Sequence, residues 1–133
     1  MASAKQHIID TFLAETDDRL LDIESGILAM ESFGSRMDPE LIHAIFRDAH
    51  SVKAGANLLN LRNIETLAHR LENILDMVRH GRITPDDALI SCLLEALDRI
   101  RELVENLEAS DRMDISAQLE SLARCAPTAD DPA

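Results

Sequence analysis

The run "RDAHSVKAGANLL", residues 47–59, reads as helix, yet it carries a histidine, a lysine three residues on and a glycine two further. A neutral imidazole offers a nitrogen lone pair near neutral pH, and an ammonium group offsets negative charge brought to it. Glycine inside a helix costs about 1 kcal/mol relative to alanine, so it usually marks a close approach. A second set lies downstream: Glu65, His69, Glu72 and Asp76 are spaced 4, 3 and 4, which puts them on one edge of the next helical stretch. If the two stretches are antiparallel neighbours, a carboxylate on that edge can accept the Nδ1–H of His50. That bond fixes the tautomer and leaves Nε2 free to attack. Lys53 is then placed to offset an incoming phosphoryl group, which carries about −2 charge near neutral pH.

On a helical wheel at ~100° per residue, the apolar centre of this stretch lies between Ala49 and Val52. His50 falls roughly 120° away, on the flank toward water. Arg47, Ala54 and Asn57 share that side, and the small Ala54 and Gly55 are expected to leave a partner room to approach. The plainer alternative is a boundary histidine in a helix that only packs. The chain would then be a helical interaction module with no reactive histidine. His43, His69 and His80 read individually as surface or helix-end residues. Glu40-Leu-Ile-His43 fits half of the paired Glu-x-x-His set of bundle di-iron sites, but no second motif matches it and His69-x-x-Glu72 runs in the opposite order. No metal site is expected.

These residues need long helices to position them. Ile9, Leu13, Thr16, Leu20, Ile23, Ile27 and Met30 step by 4 and 3, giving a first helix over 4–31 with one apolar stripe. "SFGSRM" breaks it, and Asp38-Pro39 starts the second helix as N-cap and first residue. Its inward face is Leu41, Ile42, Ile45, Phe46, Ala49, Val52 and Ala56. A third helix begins near Asn63 and buries Ile64, Leu67, Ala68, Leu71, Ile74, Leu75 and Val78. Gly81 stops it, after Arg79 and His80, which suit a negative helix end. Thr84-Pro85-Asp86-Asp87 opens a fourth helix by the same cap logic, carrying Ile90, Leu93, Leu94, Leu97, Ile100, Val104 and Leu107. Asp114 can cap a shorter fifth helix through about Arg124. "CAPTADDPA" reads as a polar tail or the start of a linker. The expected fold is all-α: an antiparallel up-down-up-down four-helix bundle with a short fifth helix, in one domain over 1–125 with 126–133 as tail.

Composition agrees. The chain has 133 residues, 46% hydrophobic, and its only aromatics are Phe12, Phe33 and Phe46. Leu, Ile, Val, Met and Ala carry the core, as helices prefer. A net charge of −12 repels phosphate backbones and anionic membranes, so neither nucleic acid nor membrane is an expected partner. No signal peptide or spanning segment is seen, and a cytoplasmic location is expected. Cys92 and Cys125 show no metal or redox spacing and read as a buried thiol and a loose-end thiol. No Gly-rich nucleotide loop occurs, so the chain should not bind ATP alone.

"FRDAHSVKAGANLLNL" followed by "IETLAHRLENILDMVRHG" resembles the histidine phosphotransfer (HPt) domain, most nearly the amino-terminal phosphotransfer domain of chemotaxis histidine kinases. The family pattern His-Ser-x-Lys-Gly-Gly-Ala, then His-x-x-Glu on the next helix, maps onto His50, Ser51, Lys53, Gly55 and Ala56, then His69 and Glu72. Ala54 stands where the first glycine is usual, and it is small enough to keep His50 accessible. Asn57, Leu58 and Leu59 replace a stretch richer in glycine and aromatics. The helix layout agrees over about 4–125, and the specific motifs occupy 46–81. The resemblance implies a phosphoryl carrier in a two-component relay of chemotaxis type. His50 would be phosphorylated, with Lys53, His69 and Glu72 in support. The partners would be a histidine kinase catalytic domain, which brings ATP, and a response-regulator receiver domain, which brings Mg²⁺. The chain itself would hold no cofactor, and a longer parent would be a histidine protein kinase.

Overall fold

A computed structural model describes residues 3–33 and 38–126. Five α-helices follow one another: α1 Ala4–Phe33, α2 Pro39–Leu58, α3 Arg62–Arg79, α4 Asp87–Glu105 and α5 Ser116–Cys125, with a 3-10 turn at Ser110–Arg112 before α5. No strand occurs among the described residues. No described helix is long and apolar enough to cross a membrane. The expected break at "SFGSRM" falls largely outside the described residues, as do 127–133 of the expected tail.

The periodic stripes meet at one core. Leu20, Ile23, Ile27 and Met30 of α1 are buried with Ile42, Ile45, Ala49 and Val52 of α2. From the other side come Ile64, Leu67, Leu71 and Leu75 of α3 and Leu89, Leu93, Leu97 and Ile100 of α4. Each large apolar side chain buried this way contributes roughly 1.5–3 kcal/mol. Phe12, absent from the expected stripe, is also buried, while Ile9 and Leu13 are half-buried. Antiparallel neighbours are visible in the pairing. Phe12 of α1 faces Gly55 late in α2, and Gly26 late in α1 faces Ile45 early in α2. A Cβ on Gly26 would run into Ile45 Cγ2, so glycine sets how closely these two helices cross. Glu24 Oε1 accepts from Arg101 Nη2 at 2.8 Å and ties α1 to α4.

The helix starts show which local signals hold. Asp38 Oδ1 accepts from Glu40 N at 3.0 Å, with Pro39 opening α2. The cap of α4 needs correction. Thr84 and Pro85 lie before the helix, and Asp86 is the N-cap, its Oδ1 accepting from Leu89 N at 2.8 Å. An extended Asp86 puts a full carboxylate under the free amides, where negative charge is favoured. Asp114 accepts from Ser116 N and Oγ at 2.9 and 2.6 Å, just ahead of α5. Gly81, at φ 70, ends the α3 region in a conformation that suits glycine.

α5 folds back along α4. Arg99 Nη2 of α4 donates to the Asp114 carbonyl at 2.7 Å, and Leu122 is buried against the bundle. Here the cysteine expectation fails. Cys92 and Cys125 are neither a lone buried thiol nor a loose-end thiol, because a disulfide joins them. The return of α5 along α4 brings together two residues 33 apart in sequence. Ala126, assigned above to the tail, is buried.

Candidate functional site

α2 and α3 meet along a seam that is polar on one edge. Asn57 Nδ2 donates to Glu65 Oε2 at 2.7 Å near one end. In the middle, His50 Nδ1 lies 2.5 Å from Glu72 Oε2, and Lys53 Nζ donates to Glu72 Oε1 at 2.7 Å. Near the other end, Arg79 Nη1 lies 3.1 Å from His43 Nδ1. Residue numbers fall along α2 as they rise along α3, which is the antiparallel register that His50 and Glu72 require.

Ile42, Ile45, Ala49, Val52 and Ala56 turn the apolar face of α2 into the core. His50 is therefore left on the flank, with 59% of its side chain exposed. Glu72 is buried, with only 10% of its side chain exposed. Burial by itself raises its carboxyl pKa. Hydrogen bonds from Lys53 and His50, and their charges, outweigh this and hold the group below the ordinary carboxylate value. Glu72 is thus an anion at neutral pH, facing Nδ1. With the proton on Nδ1, the Nε2 lone pair is free.

The other expected site residues sort by contact. Of the polar edge Glu65, His69, Glu72 and Asp76, only Glu72 reaches His50. Glu65 takes Asn57, and Asp76 accepts from Arg79 at 2.6 Å. His69 is exposed and has no hydrogen bond to His50 or Glu72 among the described residues. Arg47, Ala54 and Asn57 are exposed on the His50 side of α2. Gly55, expected to give a partner room, lies against α1. A Cβ there would come within 2.9 Å of Phe12 Cδ1, so the missing side chain accommodates the ring of a neighbouring helix. His80 Nδ1 lies 2.9 Å from the Asp76 carbonyl, a helix-end contact.

The site also has an aromatic neighbour that the motif does not include. Phe46 stands one turn before His50 and lines a surface depression with Arg47, His50, Ser51 and Glu72. The Arg79 guanidinium covers its ring, 4.3 Å from the centroid. The spacing of four from Phe46 to His50 was the available signal, although Phe46 reads equally well as core. Among the described residues, no group of three or more His, Cys, Asp or Glu side chains could hold a metal ion.

An exposed imidazole oriented by a buried carboxylate on a helical bundle is the arrangement of a phosphoryl carrier, and the comparisons agree. Residues 7–110 match the Hpt domain family, and the chain belongs to that family. Similar proteins include the chemotaxis protein CheA of several bacteria. CheA of Rhizobium meliloti (strain 1021) is 35% identical over 96 residues, covering 72% of this chain and 12% of that protein. The chain thus spans about an eighth of the length of that curated relative. The solution structure of the histidine phosphotransfer domain of CheA has a TM-score of 0.80 at 26% identity, covering 96% of this chain and 98% of that one. The phosphorylated P1 domain of CheA3, solved in complex with CheY6 from R. sphaeroides, has a TM-score of 0.74 at 23% identity, covering 90% and 98%.

Proposed function

We propose that His50 is the phosphorylated residue of this Hpt domain. Its Nε2 lone pair attacks the γ-phosphorus of ATP held by a histidine kinase catalytic domain, and ADP leaves. An aspartate carboxylate of a response-regulator receiver domain then attacks the same phosphorus and Nε2 is the leaving group. The reading extends to a chemotaxis relay in the cytoplasm, with a CheA-type kinase as the longer parent. The observation that carries it is the Glu72 Oε2 to His50 Nδ1 contact at 2.5 Å, beneath a ring that is 59% exposed. Glu72 presents Nε2 as the nucleophile and stabilises the positive charge that builds on the ring as the P–N bond forms. Lys53 keeps Glu72 ionised and lowers the local cost of a dianionic group. A complex of the related CheA3 domain with CheY6 supports a receiver as the second partner.

The test is incubation of the chain with a CheA-type kinase domain and labelled ATP. The label should be acid-labile and base-stable, as phosphohistidine is, and should pass to a CheY-type receiver. Absence of label would leave the helical interaction module as the reading.

A further inference from the structure

We propose that Cys92 and Cys125 form a reversible thiol-modification site, oxidised by low-molecular-weight disulfides of the glutathione class, which clips α5 onto α4. The two residues are 33 apart in sequence, and their Cα atoms are 6.9 Å apart in the fold. The bundle itself brings them together. α5 is only ten residues long, too short to be stable as an isolated helix. It is held by the buried Ile115, Leu122 and Ala126 and by the Arg99 to Asp114 bond, none of which needs the sulfur bridge. The pair can therefore open without the helix losing its place.

The reduced state is also provided for. The Ser121 carbonyl lies 3.6 Å from Cys92 Sγ and the Ala88 carbonyl 3.7 Å from Cys125 Sγ, so a carbonyl stands near each sulfur to accept from the thiol that opening would create. Both cysteines are half-buried, which leaves a small oxidant access. Oxidation proceeds by exchange. One protein thiolate attacks a sulfur of glutathione disulfide, forms a mixed disulfide and releases one glutathione thiolate. The second protein thiolate then displaces the other glutathione and closes the bridge. Two protein thiols and one glutathione disulfide give one protein disulfide and two glutathione thiols, a balanced two-electron exchange. Closing the bridge ties the end of α5 to the second turn of α4. The site lies on α4 and α5, away from the α2–α3 seam, and its chemistry is independent of His50.

The experiment equilibrates the whole chain in mixtures of reduced and oxidised glutathione, blocks free thiols by alkylation and counts them by intact mass. Oxidising mixtures should give a monomer with no alkylated cysteine, and reducing mixtures the same chain with two. Oxidised chain should melt about 10 °C higher and show slower amide exchange in α5, both reversed by dithiothreitol. Cys92→Ser should instead stop at a stable glutathione adduct on Cys125. Two alkylated cysteines in every mixture, a disulfide-linked dimer, an adduct persisting in the unmodified chain, or a bridge that no glutathione mixture reduces would each overturn the proposal.

Discussion

Lys53 Nζ lies 2.7 Å from Glu72 Oε1, on the carboxylate whose other oxygen meets His50. The lysine thus acts on the imidazole through Glu72. Its ammonium, with 24% of the side chain exposed, helps keep a buried carboxyl ionised, and the ionised carboxylate holds the proton on Nδ1.

Glu72→Gln should slow phosphorylation of His50. The amide keeps the shape but loses the anion, and a neutral partner can present its N–H to Nδ1 and favour the wrong tautomer. Losing this orienting bond should cost about 1–3 kcal/mol of barrier, roughly 10- to 100-fold in rate. Stopped-flow or gel-based labelling with a kinase domain measures it. A wild-type rate would remove Glu72 from the mechanism.

The same residue sets an acid limit. The folded pKa of Glu72 is depressed below its ordinary 4.5, so its contribution to stability is complete above that value. It is lost as pH falls through the lower folded value, because the unfolded chain takes up the proton first. Glu24 and Asp114 are depressed as well, by Arg101 and by Ser116, and contribute equally in a Glu72 variant. Melting curves between about pH 3 and 6 should therefore fall less steeply for Glu72→Gln than for the unmodified chain. Parallel curves would show that Glu72 gains nothing from its charge.

His50→Gln should abolish the acid-labile label while helicity and melting stay near those of the unmodified chain, since the ring is mostly exposed. His43 and His69 should not take over. His43 Nδ1 is occupied by Arg79, and His69 has no carboxylate hydrogen-bonded to its ring among the described residues. Residual label mapped by mass spectrometry to either histidine would reassign the site.

Gly55→Ala should destabilise the bundle even though alanine favours helix by about 1 kcal/mol. The new methyl group would press on the Phe12 ring at 2.9–3.0 Å, and that ring is buried. The net loss should be about 1–2 kcal/mol, and Phe12→Leu in the same chain should recover part of it. Denaturant midpoints of the unmodified chain, the two single variants and the double variant decide, and a stabilised Gly55→Ala would show that the ring yields freely.

Periodicity made the helices and their inward faces legible, because apolar spacing of 3 and 4 reports which side of a helix is buried. It also placed His50 on a flank and Glu72 within reach, since an antiparallel hairpin leaves little freedom in register. What periodicity does not report is which neighbour a face meets. A wheel reads Gly55 as a place of close approach but cannot show that Phe12 is what approaches it. The Cys92–Cys125 pairing is hidden for the same reason: its closeness depends on α5 folding back along α4. Glu72 reads as an edge residue by its type, whereas burial beside His50 and Lys53 is a property of the seam.

The start of α3 is closed from far away. Asn63 N donates to Asp111 Oδ1 at 3.0 Å, and Asn63 Nδ2 donates to the carbonyls of Ser110 and Met113, each at 2.8 Å. Leu61, at the N-cap position itself, supplies no side-chain bond. During synthesis, α2 and α3 leave the ribosome well before residues 110–113 do. The amino end of the helix that carries Glu72 therefore gains these partners only once the 3-10 turn has been made. The carboxylate proposed to support His50 thus sits on a helix whose first turn is completed by a later part of the chain.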